Sequence, residues 1–268
     1  MTDDYFTTCG KTGKAISDCL VIDAHAHLGS VFGFPSVDGN PQSIIKVMDQ
    51  IGIDRLLVSS LPAIFGQAQY GNNRLLELIR AYPQRIAGYM ALDVGYPETI
   101  LPEMERCFQA GLQAIKIYSF LNNPRSGPNY DHPNYDRIFN FANERGLPIL
   151  AHTWGDELDQ LDGAFKTYDN INWLVAHTGS KDLDKYVRCA NTYERVYLET
   201  CFSACPRGLI EQLTREVPEH KIIWGSDQPF MSATHQIGRI LFAQISPEQK
   251  RAILGENVQR ILESTEKV

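Results

Sequence analysis

Short apolar runs alternate with amphipathic stretches along most of this chain. The runs fall at residues 20–25, 55–60, 85–92, 112–118, 148–152, 172–177, 196–200 and 221–226. Each is rich in Val, Ile, Leu or Tyr and too short for a typical helix, so each reads as a strand. Runs that are apolar almost throughout suit a parallel sheet covered on both faces. Between them, Ile44, Val47, Met48 and Ile51 share one side of a predicted helix over 43–51. Leu75, Leu76, Leu78 and Ile79 do the same over 72–82, and Ile138, Phe139 and Ala142 over 136–145, where Gly146 supplies a stop. Strands and helices alternating eight times, at intervals of about 23 to 35 residues, predict an α/β fold, the (β/α)8 TIM barrel, whose typical length is about 250 residues. A doubly wound sheet is the alternative, but Gly29 and Gly33 follow the first run without the glycine order of a dinucleotide loop.

The ends of the chain are less regular. Residues 1–19 are expected to form a flexible N-terminal segment, and 20–268 a single barrel domain. Gly10-Lys11-Thr12 resembles the end of a phosphate-binding loop, but Tyr5 stands where the upstream glycine belongs and no strand precedes it. Residues 247–266 read as two C-terminal closing helices joined near Gly255. Composition is that of an ordinary globule: 268 residues, 43% hydrophobic and 21% charged. A formal net charge of −7 argues against a nucleic-acid partner, which needs a basic face. No apolar run approaches the roughly 20 residues of a membrane span, and the acidic start lacks a signal-peptide pattern. The six cysteines are irregularly spaced and read as reduced thiols of a cytoplasmic protein. Cys201 and Cys205, the one close pair, lack a second Cys or His pair of zinc-finger type.

Chemistry enters where polar residues end the apolar runs. His25 and His27 close the first run two residues apart, a spacing that puts both imidazoles on one face of a strand. The fourth run ends near Lys116, the fifth at His152, the sixth at His177, the seventh at Glu199 and the eighth at Asp227. In a parallel barrel these C-terminal strand ends form one rim, and packing alone would fill them with Val, Ile or Leu. His25, His27, His152 and Asp227 together offer three neutral nitrogens and one hard oxygen. That set suits one divalent metal, Zn²⁺ first, with Mn²⁺, Fe²⁺, Co²⁺ or Ni²⁺ also accommodated. Barrel closure lays the eighth strand beside the first, so Asp227 can approach the histidine pair. His177 is expected to work as an acid/base rather than a ligand. Asp23, deeper on the strand, is expected to be a structural carboxylate.

Five segments resemble the amidohydrolase superfamily, in its branch of TIM-barrel metal-dependent hydrolases that includes aminocarboxymuconate-semialdehyde decarboxylase. They are Ile22-Asp-Ala-His-Ala-His-Leu28, Gly146-Leu-Pro-Ile-Leu-Ala-His152, Leu174-Val-Ala-His-Thr-Gly179, Trp224-Gly-Ser-Asp-Gln-Pro229 and Ile253-Leu-Gly-Glu-Asn257. The resemblance implies that His25, His27, His152 and Asp227 are metal ligands, that His177 lies beside a bound water, and that Asp227 doubles as general base in hydrolytic members. It also implies two readings of Lys116: a carboxylated bridge between two metals, or, with one metal, a free cation that pairs with a substrate carboxylate. An exposed structural lysine is the third reading.

Glu199 is expected to hydrogen-bond a loop or a metal-bound histidine. The loops after the strands carry Phe32, Phe34, Phe65, Tyr70, Phe120, Tyr130, Trp154, Phe202 and Phe230. These either pack the loops or line a pocket for a ring, with Phe32, Trp154, Lys116 and Arg125 as the expected substrate contacts. The leading expectation is a hydrolase that activates water on the metal to attack a small amide, lactone or ester. A non-oxidative decarboxylase of a cyclic or unsaturated acid is the second, and a non-catalytic ligand-binding barrel the third. A small-molecule substrate is expected, with no nucleic acid and no membrane partner, and a homodimer follows from the resemblance.

Overall fold

A computed structural model describes residues 3–30, 40–119, 129–154, 156–204 and 206–265. Among them, eight strands lie side by side in chain order, each parallel to the next. They are β1 (Ile22–Leu28), β2 (Arg55–Ser60), β3 (Ile86–Met90), β4 (Ala114–Ile117), β5 (Ile149–Ala151), β6 (Trp173–Val175), β7 (Val196–Glu199) and β8 (Ile222–Ile223). The order closes on itself where Ala26 bridges Gln228. At the same seam Ala24 N–H donates to Trp224 O, His27 N–H to Gln228 O and Asp227 N–H to His25 O, over 2.7–3.1 Å. The molecule is therefore the TIM barrel that the alternation predicts. The strands are apolar throughout because each faces two cores. Ile22, Ala24, Leu57, Leu150, Leu174 and Ile223 fill the inside of the barrel, while Val21, Val58, Ile115, Ile149 and Val175 pack against the helices outside.

The helices follow local chemistry. In α2 (Pro41–Ile51), Asn40 caps the N-terminus by accepting from Ser43 N–H at 2.9 Å. Ile44, Met48 and Ile51 bury one stripe of it. Gly52 ends it at φ 89°, where a Cβ would lie 2.1 Å from Ile16 O, so no other residue fits. The predicted helices over 72–82 and 136–145 are α4 (Ala68–Ala81), which follows the short α3 (Leu61–Ile64), and α6 (Asn134–Arg145). The remaining connections are α5 (Pro97–Gln109), α7 (Glu157–Thr167), α8 (Leu183–Thr192), α9 (Leu209–Glu216) and α10 (Ala233–Leu241). Among the described residues no helix is long and apolar enough to cross a membrane.

The tail is the expected pair of closing helices joined around Gly255. A π-helical turn, Ala252–Glu256, joins α11 (Pro247–Arg251) directly to α12 (Asn257–Thr265). Gly255 is needed for proximity: a Cβ there would sit 2.2 Å from Leu20 O. Val258 and Ile261 of α12 then join the interior cluster and plug the base of the barrel.

The N-terminal stretch is not a loose segment but contains α1 (Tyr5–Thr12), which buries Phe6 and Cys9. Eight residues are too few to hold a helix by themselves. Asp4 supplies what the local sequence lacks. Its carboxylate accepts from Thr7 N–H at 2.6 Å and pairs with the buried Lys250 Nζ at 2.7 Å. Burial pushes the Asp4 carboxyl up, but Lys250 and the Thr7 amide more than offset this and hold it below its ordinary value.

Replacing Asp4 with Ala removes a helix cap and strands a buried ammonium. It should cost roughly 3 kcal/mol and lower the melting temperature by about 6–12 °C at pH 7. Because the folded-state pKa is depressed, this contribution is present above the unfolded carboxyl pKa and fades as pH falls through the folded one. Asp3→Ala, which removes only an exposed pair with Lys11, should change melting by no more than a degree or two.

Candidate metal centre

The site begins with a break in the pleat of β1. Regular alternation would put Asp23, His25 and His27 on one face. Instead Ile22 and Ala24 face the barrel interior while Ala26 and Leu28 pack outside, and the register against β2 shifts between Asp23 and Ala26. The irregularity separates Asp23 from the histidines, which turn inward together with ring centroids 5.2 Å apart. Asp23 is spent on the seam. Its carboxylate accepts from His25 N–H at 3.1 Å, Ser226 N–H at 2.9 Å, Ser226 Oγ at 2.5 Å and Gln228 Nε2 at 3.2 Å. Burial raises this carboxyl to about 7 against the pull of those bonds. Asp23 thus anchors the residues on either side of Asp227.

Asp227 Oδ1 stands 2.9 Å from His27 Nε2 and 3.6 Å from His25 Nε2. One ligand atom from each of the three lies within 4.8 Å of the others, and all three side chains are buried. Lys116 Nζ is 3.1 Å from His25 Nε2. The far side of each imidazole is also held. His25 Nδ1 meets Glu199 Oε2 at 3.0 Å, and His27 Nδ1 meets Ser59 Oγ at 2.8 Å. Such outer bonds fix ring orientation and tautomer, as a ligand requires.

His152 and His177 form the other half. His177 Nε2 and His152 Nδ1 are 3.0 Å apart. His177 Nδ1 donates to Cys201 O at 3.3 Å. Among the described residues His152 Nε2 is buried with no partner, which is a costly state for a polar atom unless something else binds it. His177 and Asp227 both have left-handed backbones, φ 60° and 56°, a conformation that β- and α-structure avoid and that gathers at functional sites. Aromatic faces close the surroundings: Tyr118 stacks on His152 at 4.0 Å, Trp154 on His177 at 5.5 Å, and Phe230 lies 5.3 Å from His27.

Burial lowers the pKa of His25, His27, His152 and His177, so their lone pairs are free at neutral pH. Burial alone would raise Asp227, yet the neighbouring His25 and His27 hold its carboxyl well below the usual range. Lys116 is pulled down to about 8 by burial. A buried anion beside neutral nitrogens, with an orphaned imidazole atom close by, is a donor set that a divalent cation fits.

The expected residues divide as follows. His25, His27, Asp227, Lys116 and Glu199 come together directly. His152 lies one contact further out, against His177, and outside the compact donor group. Lys116 is buried rather than exposed. Trp154 stands at the site, whereas Tyr70 is on the exposed face of α4 and Tyr130 is buried with its hydroxyl donating to His152 O at 2.8 Å. Phe32, Phe34, Phe120, Arg125 and Cys205 lie outside the described residues. Ser59, Tyr118 and Cys201 were not anticipated. Cys201 Sγ lies 3.2 Å from both His177 Nδ1 and Glu199 Oε2, in a second donor group with His25. Its signal was its position, two residues beyond Glu199.

The family model described as amidohydrolase matches residues 22–263. The chain belongs to the amidohydrolase family. Two curated relatives of this amidohydrolase are decarboxylases. The 2-amino-3-carboxymuconate-6-semialdehyde decarboxylase of Dictyostelium discoideum is 27% identical over 135 residues, 45% of this chain and 36% of that protein. The gamma-resorcylate decarboxylase of Polaromonas sp. (strain JS666) is 25% identical over 147 residues, 50% of this chain and 44% of that one. The matches therefore span less than half the length of either relative. Among solved structures, a dihydroxybenzoic acid decarboxylase from Polaromonas sp. JS666, with bound manganese and the inhibitor 2-nitroresorcinol, superposes with a TM-score of 0.77. It is 18% identical, over 91% of this chain and 97% of that one. At that identity the likeness concerns the barrel fold.

Asp23→Asn in this amidohydrolase puts an amide donor either against the His25 and Ser226 N–H groups or against Ser226 Oγ and Gln228 Nε2 and should cost about 2–3 kcal/mol. Thermal melting should show a drop of about 4–12 °C, and Ser226→Ala a smaller one.

Proposed function

We propose that this amidohydrolase is a metal-dependent, non-oxidative decarboxylase of a small cyclic or unsaturated carboxylic acid. One observation carries the reading: the buried amine of Lys116 stands within the donor cluster, 3.1 Å from His25 Nε2, so a substrate carboxylate has a cationic partner there. The decarboxylase activity of both curated relatives favours this over the hydrolysis that the sequence alone puts first.

His25, His27, His152 and Asp227 would hold one divalent cation. When bound, such a cation is a Lewis acid that draws in substrate oxygens and neutralises their charge. Imidazoles with one carboxylate suit Mn²⁺ as well as Zn²⁺, and manganese is the ion in the dihydroxybenzoic acid decarboxylase, so zinc is not singled out. Lys116 pairs with the carboxylate that leaves. Trp154 and Tyr118 present ring faces on which a planar acid can lie. Loss of CO₂ requires one proton on the carbon that carried the carboxylate; the C–C bond breaks and a C–H bond takes its place. With its Nδ1–H held on the Cys201 carbonyl, His177 first takes a proton from solvent on Nε2 and then passes it to that carbon. Asp227, kept anionic by its imidazole neighbours, accepts a proton from bound substrate. Glu199 orients His25 through their 3.0 Å contact.

Hydroxybenzoates and unsaturated dicarboxylates incubated with the metal-loaded protein in D₂O should release CO₂ in step with acid consumed. One deuterium should appear at the vacated carbon. A product that gained water without losing CO₂ would mean hydrolysis instead. Elemental analysis should find one divalent ion per chain, and His25→Ala or His27→Ala should lose the ion and at least about 100-fold in kcat/KM. Two ions per chain, with one lost in Lys116→Ala, would point to a bridging lysine.

A further inference from the structure

The base of the barrel, opposite the metal centre, holds an arginine that no anion meets among the described residues. Arg55 opens β2, and Leu57, two residues on, belongs to the interior cluster, so Arg55 faces the same interior at its lowest layer. Ser59, at the far end of that face, touches His27; four residues of strand put the two ends roughly 13 Å apart.

Beside the plug formed by α12, a crevice of about 200 Å³ remains, lined by Arg55, Leu57, Ala87, Gln113, Ala114 and Thr265. The Arg55 Nε–H is buried there with no partner, and among the described residues no hydrogen bond or ion pair reaches the guanidinium. Other arginines that reach into the fold are held. Arg85 donates to Asp54 O, Ile53 O and Asp49, and Arg106 to Glu103. A cation in a partly desolvated crevice is disfavoured unless an anion meets it, and an apolar residue would seal the base more cheaply.

We propose that this crevice binds a small oxyanion, a carboxylate or phosphate, on the fork of Arg55. The guanidinium supplies two parallel N–H donors to two oxygens of the anion, the geometry for which arginine is suited. The Gln113 amide lines the same space and supplies a further donor. Ala87 and Ala114 keep the crevice open by filling little of it. The site takes a ligand of a few heavy atoms and is separate from the metal centre, so it does not depend on the proposed decarboxylation.

The probe is inorganic phosphate, added to the metal-loaded protein at constant ionic strength maintained with chloride. The melting temperature of the native protein should rise saturably, by about 3–6 °C at ten times the dissociation constant. Arg55→Gln should abolish the saturable rise while leaving metal content unchanged. A native protein that shows no saturable rise would overturn the proposal. So would an equal rise in Arg55→Gln, because phosphate would then be acting elsewhere, the metal centre included. Should Arg55→Gln fail to fold, calorimetric titration of Arg55→Lys decides. That variant keeps the charge but loses the fork, and phosphate affinity should fall about tenfold; unchanged affinity would overturn the assignment.

Discussion

The site depends on the closure of the barrel between its first and last strands. Only there does an aspartate from one end of the domain stand 2.9 Å from a histidine of the other. The seam has little conventional pairing, since β8 has just two residues in strand conformation. Backbone bonds from Ala24, His27 and Asp227 carry it instead, together with the buried Asp23 carboxylate bound to Ser226 and Gln228. Desolvating that carboxylate is costly and its four hydrogen bonds offset the cost. The same residues that close the barrel thereby set where the metal donors point.

From this constraint the electrostatics follow. Closing the seam excludes water from His25, His27 and Asp227. Burial keeps the imidazoles neutral, and their proximity keeps Asp227 anionic. Neutral nitrogens thus surround one anion, with the Lys116 amine alongside, an arrangement that suits the proposed metal and carboxylate together.

Much of this was legible in the sequence because a histidine or aspartate that ends an apolar run has no packing reason to be there. His25, His27, His152, His177 and Asp227 were readable on that ground, and the eight-fold alternation placed them on one rim. What escaped had causes beyond the local pattern. The break in β1 is invisible because Asp-Ala-His-Ala-His alternates as a regular strand does; only the barrel wall on each side exposes it. An exposed lysine is one of three readings of Lys116, and only the burial of β4 in the closed sheet removes it. Ser59 and Cys201 matter through partners on other strands, at sequence separations of 32 and 24 residues. The N-terminal helix is held by an ion pair with Lys250, 246 residues away, which no local window can register. Phe32 and Arg125, two of the expected substrate contacts, fall outside the described residues.

The most direct test is an anomalous-scattering map from crystals grown with manganese. One ion is expected within about 2.2 Å of His25 Nε2, His27 Nε2 and an Asp227 oxygen, a distance typical of nitrogen and oxygen ligands. An ion bound away from these three atoms, or no ion from crystals soaked to saturation, would contradict that expectation.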